Sequence, residues 1–165
     1  MPALLVAAAL VGSGCAALTA SRESSFFRGF SLQKSVEKNA SRSGLDCSGG
    51  GGGGGGIGSS GGGFGFGGRE YHSHKGEGFS CRLAGGGESF DEQGFISALR
   101  REVEAAITAS GAKIVDGGGQ SAGGFSYEYA SGDVRGRVKV TGRRRAGVYY
   151  SVEADLEESG GKGAR

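Results

Sequence analysis

Residues 89–111 read SFDEQGFISALRREVEAAITASG, and residues 125–156 read FSYEYASGDVRGRVKVTGRRRAGVYYSVEADL. The first stretch has a helical period and the second alternates, and the fold class follows from that contrast. Ser89-Phe90-Asp91-Glu92 has the form of a capping box, with the Ser89 hydroxyl accepting from the third amide and Glu92 reaching back to the cap. Asp91 and Glu92 also suit the positive end of the helix dipole. Ile96, Leu99, Val103, Ala106 and Ile107 recur on one face, with Arg100, Arg101 and Glu104 elsewhere on the wheel. Gly111 is placed to cap the C-terminus.

Four strands are expected to follow, over residues 113–116, 125–130, 134–141 and 148–156. Phe125, Tyr127 and Tyr129 alternate with Ser126 and Glu128; Val134, Val138 and Val140 alternate with Arg135, Arg137 and Lys139. Val148, Tyr150, Val152, Ala154 and Leu156 alternate with Tyr149, Ser151, Glu153 and Asp155. One apolar and one polar face mark an antiparallel sheet covered on a single side. A short loop at 130–133 sets Tyr129 opposite Val134 and Glu128 opposite Arg135. A loop at 142–146 sets Val138 opposite Tyr150 and Arg135 opposite Glu153, with Gly136 between Tyr127 and Val152 leaving room for the ring. The expected fold is α+β: one helix packed on a four-stranded antiparallel meander (α-β-β-β-β), preceded by a disordered glycine-rich segment.

Working outward, residues 49–56 are eight consecutive glycines, and glycine makes up 38 of the 165 residues. Each glycine loses more backbone freedom on ordering than any other residue, so a flexible linker is expected over 49–88. The run matches glycine-rich phosphate motifs only because everything in it is glycine. Residues 15–48 read as mostly disordered, with Phe26, Phe27, Phe30, Leu32 and Val36 offering at most a short amphipathic helix on a membrane surface. The folded unit then spans 89–159, and 160–165 is a disordered tail.

At the N-terminus, residues 3–11 (ALLVAAALV) form a nine-residue apolar run followed by Gly12, Ser13, Gly14 and Cys15. Nine residues fall well short of the roughly 20 needed to span a bilayer and fit the apolar core of a secretory signal. A run ending Gly-Ser-Gly-Cys resembles a bacterial lipoprotein signal. The resemblance implies a signal peptide at 1–14, lipidation of Cys15, and a mature chain tethered in the cell envelope, facing the periplasm or the exterior. Gly12 stands where that pattern usually has Leu, and no Lys or Arg precedes the run. Alternatives are plain secretion after cleavage near Ala17 or Ala20, or a buried N-terminal helix. With Cys15 lipidated, Cys47 and Cys81 are an even pair able to bridge in an oxidising compartment; otherwise they are two unrelated thiols.

Charge and chemistry narrow the function. Residues 89–165 carry 11 basic and 11 acidic side chains. That neutral balance argues against a nucleic-acid binder, whose folded part carries a clear cationic excess. Basic residues nonetheless line one strand face (Arg135, Arg137, Lys139) and crown the expected loop (Arg143, Arg144, Arg145), an alternative contact for nucleic acid or another anionic surface. His72 and His74 form an HxH pair without a fixed third ligand, so no metal and no cofactor is assigned. From Ser89 onward there is neither His nor Cys, and a nucleophile–base pair has nothing to draw on. The expectation is a non-enzymatic envelope lipoprotein. Its partners are a membrane, through the lipid, and an envelope protein, through strand addition at a sheet edge, over 113–116 or 148–156.

Overall fold

The computed structural model describes residues 23–48, 71–117, 119, 121 and 123–160. Within them the chain runs α1 (Ser25–Gly29), α2 (Leu32–Ala40), a 3-10 turn (Ser41–Ser43), β1 (Leu45–Asp46), β2 (Tyr71–Leu83), a second 3-10 turn (Ala84–Gly87) and α3 (Glu92–Ala109). Strands β3 (Lys113–Asp116), β4 (Gly124–Ser131), β5 (Val134–Arg145) and β6 (Tyr149–Gly160) complete it. The strands form one antiparallel sheet in the order β1-β2-β6-β5-β4-β3, curled into a half-barrel. The four-stranded meander under a single helix is therefore incorrect. Six strands are present, and residues assigned to a linker and to a disordered segment supply two strands and two helices.

α3 lies close to its expected bounds, but its cap sits two residues later. Asp91, not Ser89, is the N-cap and accepts from Gly94 N at 2.9 Å. Glu92 is thereby freed to receive the Tyr150 hydroxyl at 3.1 Å. Ile96, Leu99, Val103 and Ile107 are buried as the period requires, Phe95 joins them, and Ala106 is exposed. Gly111 follows the helix with φ of 81°, the left-handed conformation that only glycine adopts without strain.

Strand alternation keeps its phase while the register differs. Gly132-Asp133 turns β4 directly into β5, so Tyr129 faces Gly136 and Glu128 faces Arg137. β5 runs on to Arg145 and turns through 146–148, so Val138 faces Leu156 and Thr141 faces Glu153. These are displacements by even numbers of residues, which leave every side chain on its expected face. Gly136 still makes room for a ring, but the ring is Tyr129, which a Cβ there would meet at 2.3 Å.

The concave face is closed by helices. Ser24 caps α1 by accepting from Phe27 N, and Ser31 caps α2 by accepting from Lys34 N. Phe26, Phe27, Phe30, Leu32 and Val36 are buried against the sheet, joined to the α3 stripe and the inner residues of β4, β5 and β6 in one core. Neither a surface-bound amphipathic helix nor disorder describes them. The Phe26 ring packs edge-on to Tyr129 with centroids 4.9 Å apart. Residues 1–22, which contain the apolar run and Cys15, and the glycine run at 49–56 lie outside the described residues.

Candidate functional site

The candidate contact surfaces are the convex outer face of the sheet and its edges. On the outer face, β5 presents Arg135, Arg137, Lys139, Arg143 and Arg145 in a row, because residues two apart share a face. β6 sets an acidic row beside it, pairing Arg137 with Glu157 and Lys139 with Asp155. Arg137 also forms an ion pair with Glu128 at 2.6 Å, and Arg145 with Glu153 at 3.0 Å. Positive and negative rows a strand apart cancel at a distance, and solvent screens each exposed pair, so the pairs add little to stability. Tyr149, half exposed, stands between Arg82 of β2 and Arg145 of β5.

The expected arginine-crowned loop is absent. Arg143, Arg144 and Arg145 belong to β5, and the turn begins at Ala146. Arg144 therefore points to the opposite face from its neighbours. Its guanidinium carbon lies 5.4 Å from the centre of the Phe90 ring, and its Nε is 3.8 Å from Glu92. The basic residues named from the sequence divide into five on the outer face and one on the helix side.

The disulfide continues the sheet. Leu45 pairs with Leu83 and Asp46 with Arg82, and the next residue, Cys47, is bonded to Cys81 with Cα atoms 4.6 Å apart. That spacing is that of directly opposed residues in a non-hydrogen-bonded pair. Ser48 N then donates to Asp46 Oδ1 at 2.9 Å, an Asx-type turn that ends β1. The two bonds from Ser48 hold the Asp46 carboxyl below the usual carboxylate range.

The edges differ from those expected. Residues 149–160 form an interior strand between β2 and β5 and offer no edge. Lys113–Asp116 is a true edge, but its pairing shifts between Ile114 and Asp116 and leaves Val115 58% exposed. A bulge of this kind blunts an edge. The other side of the sheet is β2, covered by β1 at Leu83 and Arg82 alone.

One polar constellation escaped sequence reasoning. Glu158, 2% exposed, accepts from Ser24 N at 3.0 Å, from the Ser24 hydroxyl, and from the Tyr129 hydroxyl at 2.7 Å. Burial, then the bond to Glu158, pushes the Tyr129 phenol well above its ordinary value. The signal was available: Glu158 continues the inward series Tyr150, Val152, Ala154, Leu156 on β6. The cluster ties the start of α1 to the end of the sheet, and its accepting oxygens are occupied.

His74 lies 3.7 Å from Asp155 and 4.0 Å from Glu157 on the open outer face. Among the described residues no group of three His, Cys, Asp or Glu could hold a metal ion, and no helix is long and apolar enough to cross a membrane. No family model, curated protein or solved structure matches this chain.

Proposed function

We propose that the chain is an exported, membrane-tethered lipoprotein whose non-catalytic half-barrel domain acts in the cell envelope as a protein-interaction or structural component. The observation that carries this reading is the bond between Cys47 and Cys81. Such bonds persist in oxidising compartments and are rare in the cytosol. Of the three cysteines in the sequence it accounts for two, and the third, Cys15, follows the signal-like apolar run after Gly12-Ser13-Gly14. The domain adds exposed strand edge and a charge-balanced outer face, both suited to protein contact. The test is the intact mass and membrane fractionation of the native protein beside Cys15→Ser. A lipid-sized mass increment that vanishes in the variant is expected; an uncut, unmodified cytosolic chain overturns the reading.

A second reading, contact with an anionic surface through the β5 row, is favoured by one observation. Among the described residues Arg135, Lys139 and Arg143 form no ion pair. The acidic row on β6 weakens the field they create. Retention on heparin at low salt that is lost when these three are replaced together by Ser would support it; flow-through at low salt would end it.

A further inference from the structure

β2 carries the longest strand edge that meets no other strand among the described residues. Which main-chain groups that edge presents follows from two bonds. Leu83 N donates to Val148 O on the β6 side at 2.7 Å, and Ala84 N donates to Gly44 O on the β1 side at 3.0 Å. Successive residues of a strand turn their N–H and C=O groups to alternate sides. Ser73, Lys75, Glu77, Phe79 and Cys81 therefore bond to β6, while His74, Gly76, Gly78 and Ser80 direct theirs outward. β1 cannot reach them, because the disulfide at Cys81 and the turn from Asp46 to Ser48 end it first.

The side chains beside this edge have a two-fold pattern. Lys75 and Glu77 flank Gly76 on the inner face, form an ion pair at 2.8 Å, and are 26% and 22% exposed. On the outer face, a Cβ at Gly78 would meet nothing within 4 Å, and one at Gly76 would touch only His74 and Asp155 side chains. Inward-pointing charges defend an edge, because a strand laid beside them must desolvate them. A copy of the same strand offsets that cost, since opposite signs placed symmetrically about a glycine let it bring each charge its counter-charge.

We propose that two copies of this chain pair antiparallel through β2, with Gly76 on the two-fold axis. In that register Gly76 faces Gly76 and His74 faces Gly78 of the second copy as hydrogen-bonded pairs. Lys75 then faces Glu77 of the second copy, and Glu77 its Lys75, in the closer non-hydrogen-bonded positions. Slipping by two residues in either direction sets Lys75 against Lys75 or Glu77 against Glu77, so the charges select one register. The contact is isologous, as closed dimers require, and joins two half-barrel sheets edge to edge. This pairing rests on the interaction half of the reading above; export is decided separately by the mass measurement.

The test is sedimentation velocity of the full chain, kept in mild detergent, across the micromolar range. A concentration-dependent dimer is expected. Gly76→Pro removes one outward N–H and leaves the bonds to β6 intact, so it should give a monomer with an unchanged far-ultraviolet spectrum. Lys75→Glu and Lys75→Glu/Glu77→Lys also give up bonds to Phe30 O and Leu32 N, so both are measured at temperatures where their far-ultraviolet spectra match wild type; there the single change should weaken the dimer about tenfold or more and the swap should restore it. A chain that stays monomeric throughout, a Gly76→Pro dimer as tight as wild type, or a folded charge swap no tighter than Lys75→Glu alone overturns the proposal. If Gly76→Pro fails to fold, Gly78→Pro, which likewise removes only an outward N–H, decides.

Discussion

β5 and β2 flank β6 on its two sides and are almost equal in length, 12 and 13 residues, yet they are held by different forces. β5 turns Val138 and Val140 inward, both fully buried, under the stripe of α3. β2 joins the apolar core only over its second half, through Phe79, Cys81 and Leu83, and turns Ser73, Lys75 and Glu77 inward before them. These are satisfied by the helical layer: Lys75 Nζ donates to Phe30 O at 2.7 Å, Glu77 accepts from Leu32 N at 2.6 Å, and Ser73 donates to Glu23 at 3.1 Å. A strand thus joins a core either by burying apolar surface or by finding hydrogen-bond partners above it. The second route needs α1 and α2 to be in place, and it makes β2 and the N-terminal helices one cooperative unit.

Four measurements test that contrast. Leu156 faces Val138 of β5 on one side and Lys75 of β2 on the other, and is fully buried. Leu156→Ala should cost up to about 5 kcal/mol in urea unfolding, and hydrogen exchange should quicken in both flanking strands. A variant that loosens one strand alone would show that β6 does not couple them.

Removing the Cys47–Cys81 bond, which spans 34 residues, should cost roughly 3–4 kcal/mol by chain entropy. The loss should appear first in the amides of β2, read by hydrogen exchange with and without reductant. Equal loss in β5 would contradict separate anchoring.

Glu77→Ala strips the acceptor from Leu32 N and should cost about 1–3 kcal/mol, freeing α2 while β5 amides stay protected. A melting temperature indistinguishable from wild type would mean that the polar route contributes nothing.

The smallest effect concerns Tyr129. Its Phe variant should lose about 1 kcal/mol at neutral pH, leaving Glu158 with both Ser24 bonds. Alkaline titration supplies a second readout. The folded phenol is raised above its ordinary 10.0, so above that pH the unfolded chain releases a proton that the native chain keeps. Stability then falls as pH rises past about 10. Tyr150, raised first by burial and then by Glu92, acts in the same sense. Denaturation at pH 9 and pH 11 should show a shallower fall in Tyr129→Phe; an identical fall would remove this tyrosine from the linkage.

Much of the β5 side was legible because its information is local and periodic. Ile96, Leu99, Val103 and Ile107 mark a helix face, and the alternations through Tyr127, Val138 and Leu156 mark strand faces, whatever the register. Register was not legible, since alternation is indifferent to a shift by an even number of residues. Gly132-Asp133 and the turn at 146–148 chose among those shifts. The basic row on β5 was legible for the same reason as its apolar face; that Arg144 leaves it could be known only once β5 was seen to continue to Arg145.

Residue type at short spacing is enough to give the helix and the strand phases, and composition is enough to give the neutral charge. That HSHKGEGFS is a strand, that Cys47 meets Cys81 and that Glu158 is buried with Ser24 and Tyr129 came only with the fold. Apart from the Lys75–Glu77 ion pair itself, the groups that satisfy Lys75, Glu77 and Glu158 lie 29 to 134 residues away along the chain. A polar residue far from its partner in sequence carries no sign that it will be buried until the fold brings the two together.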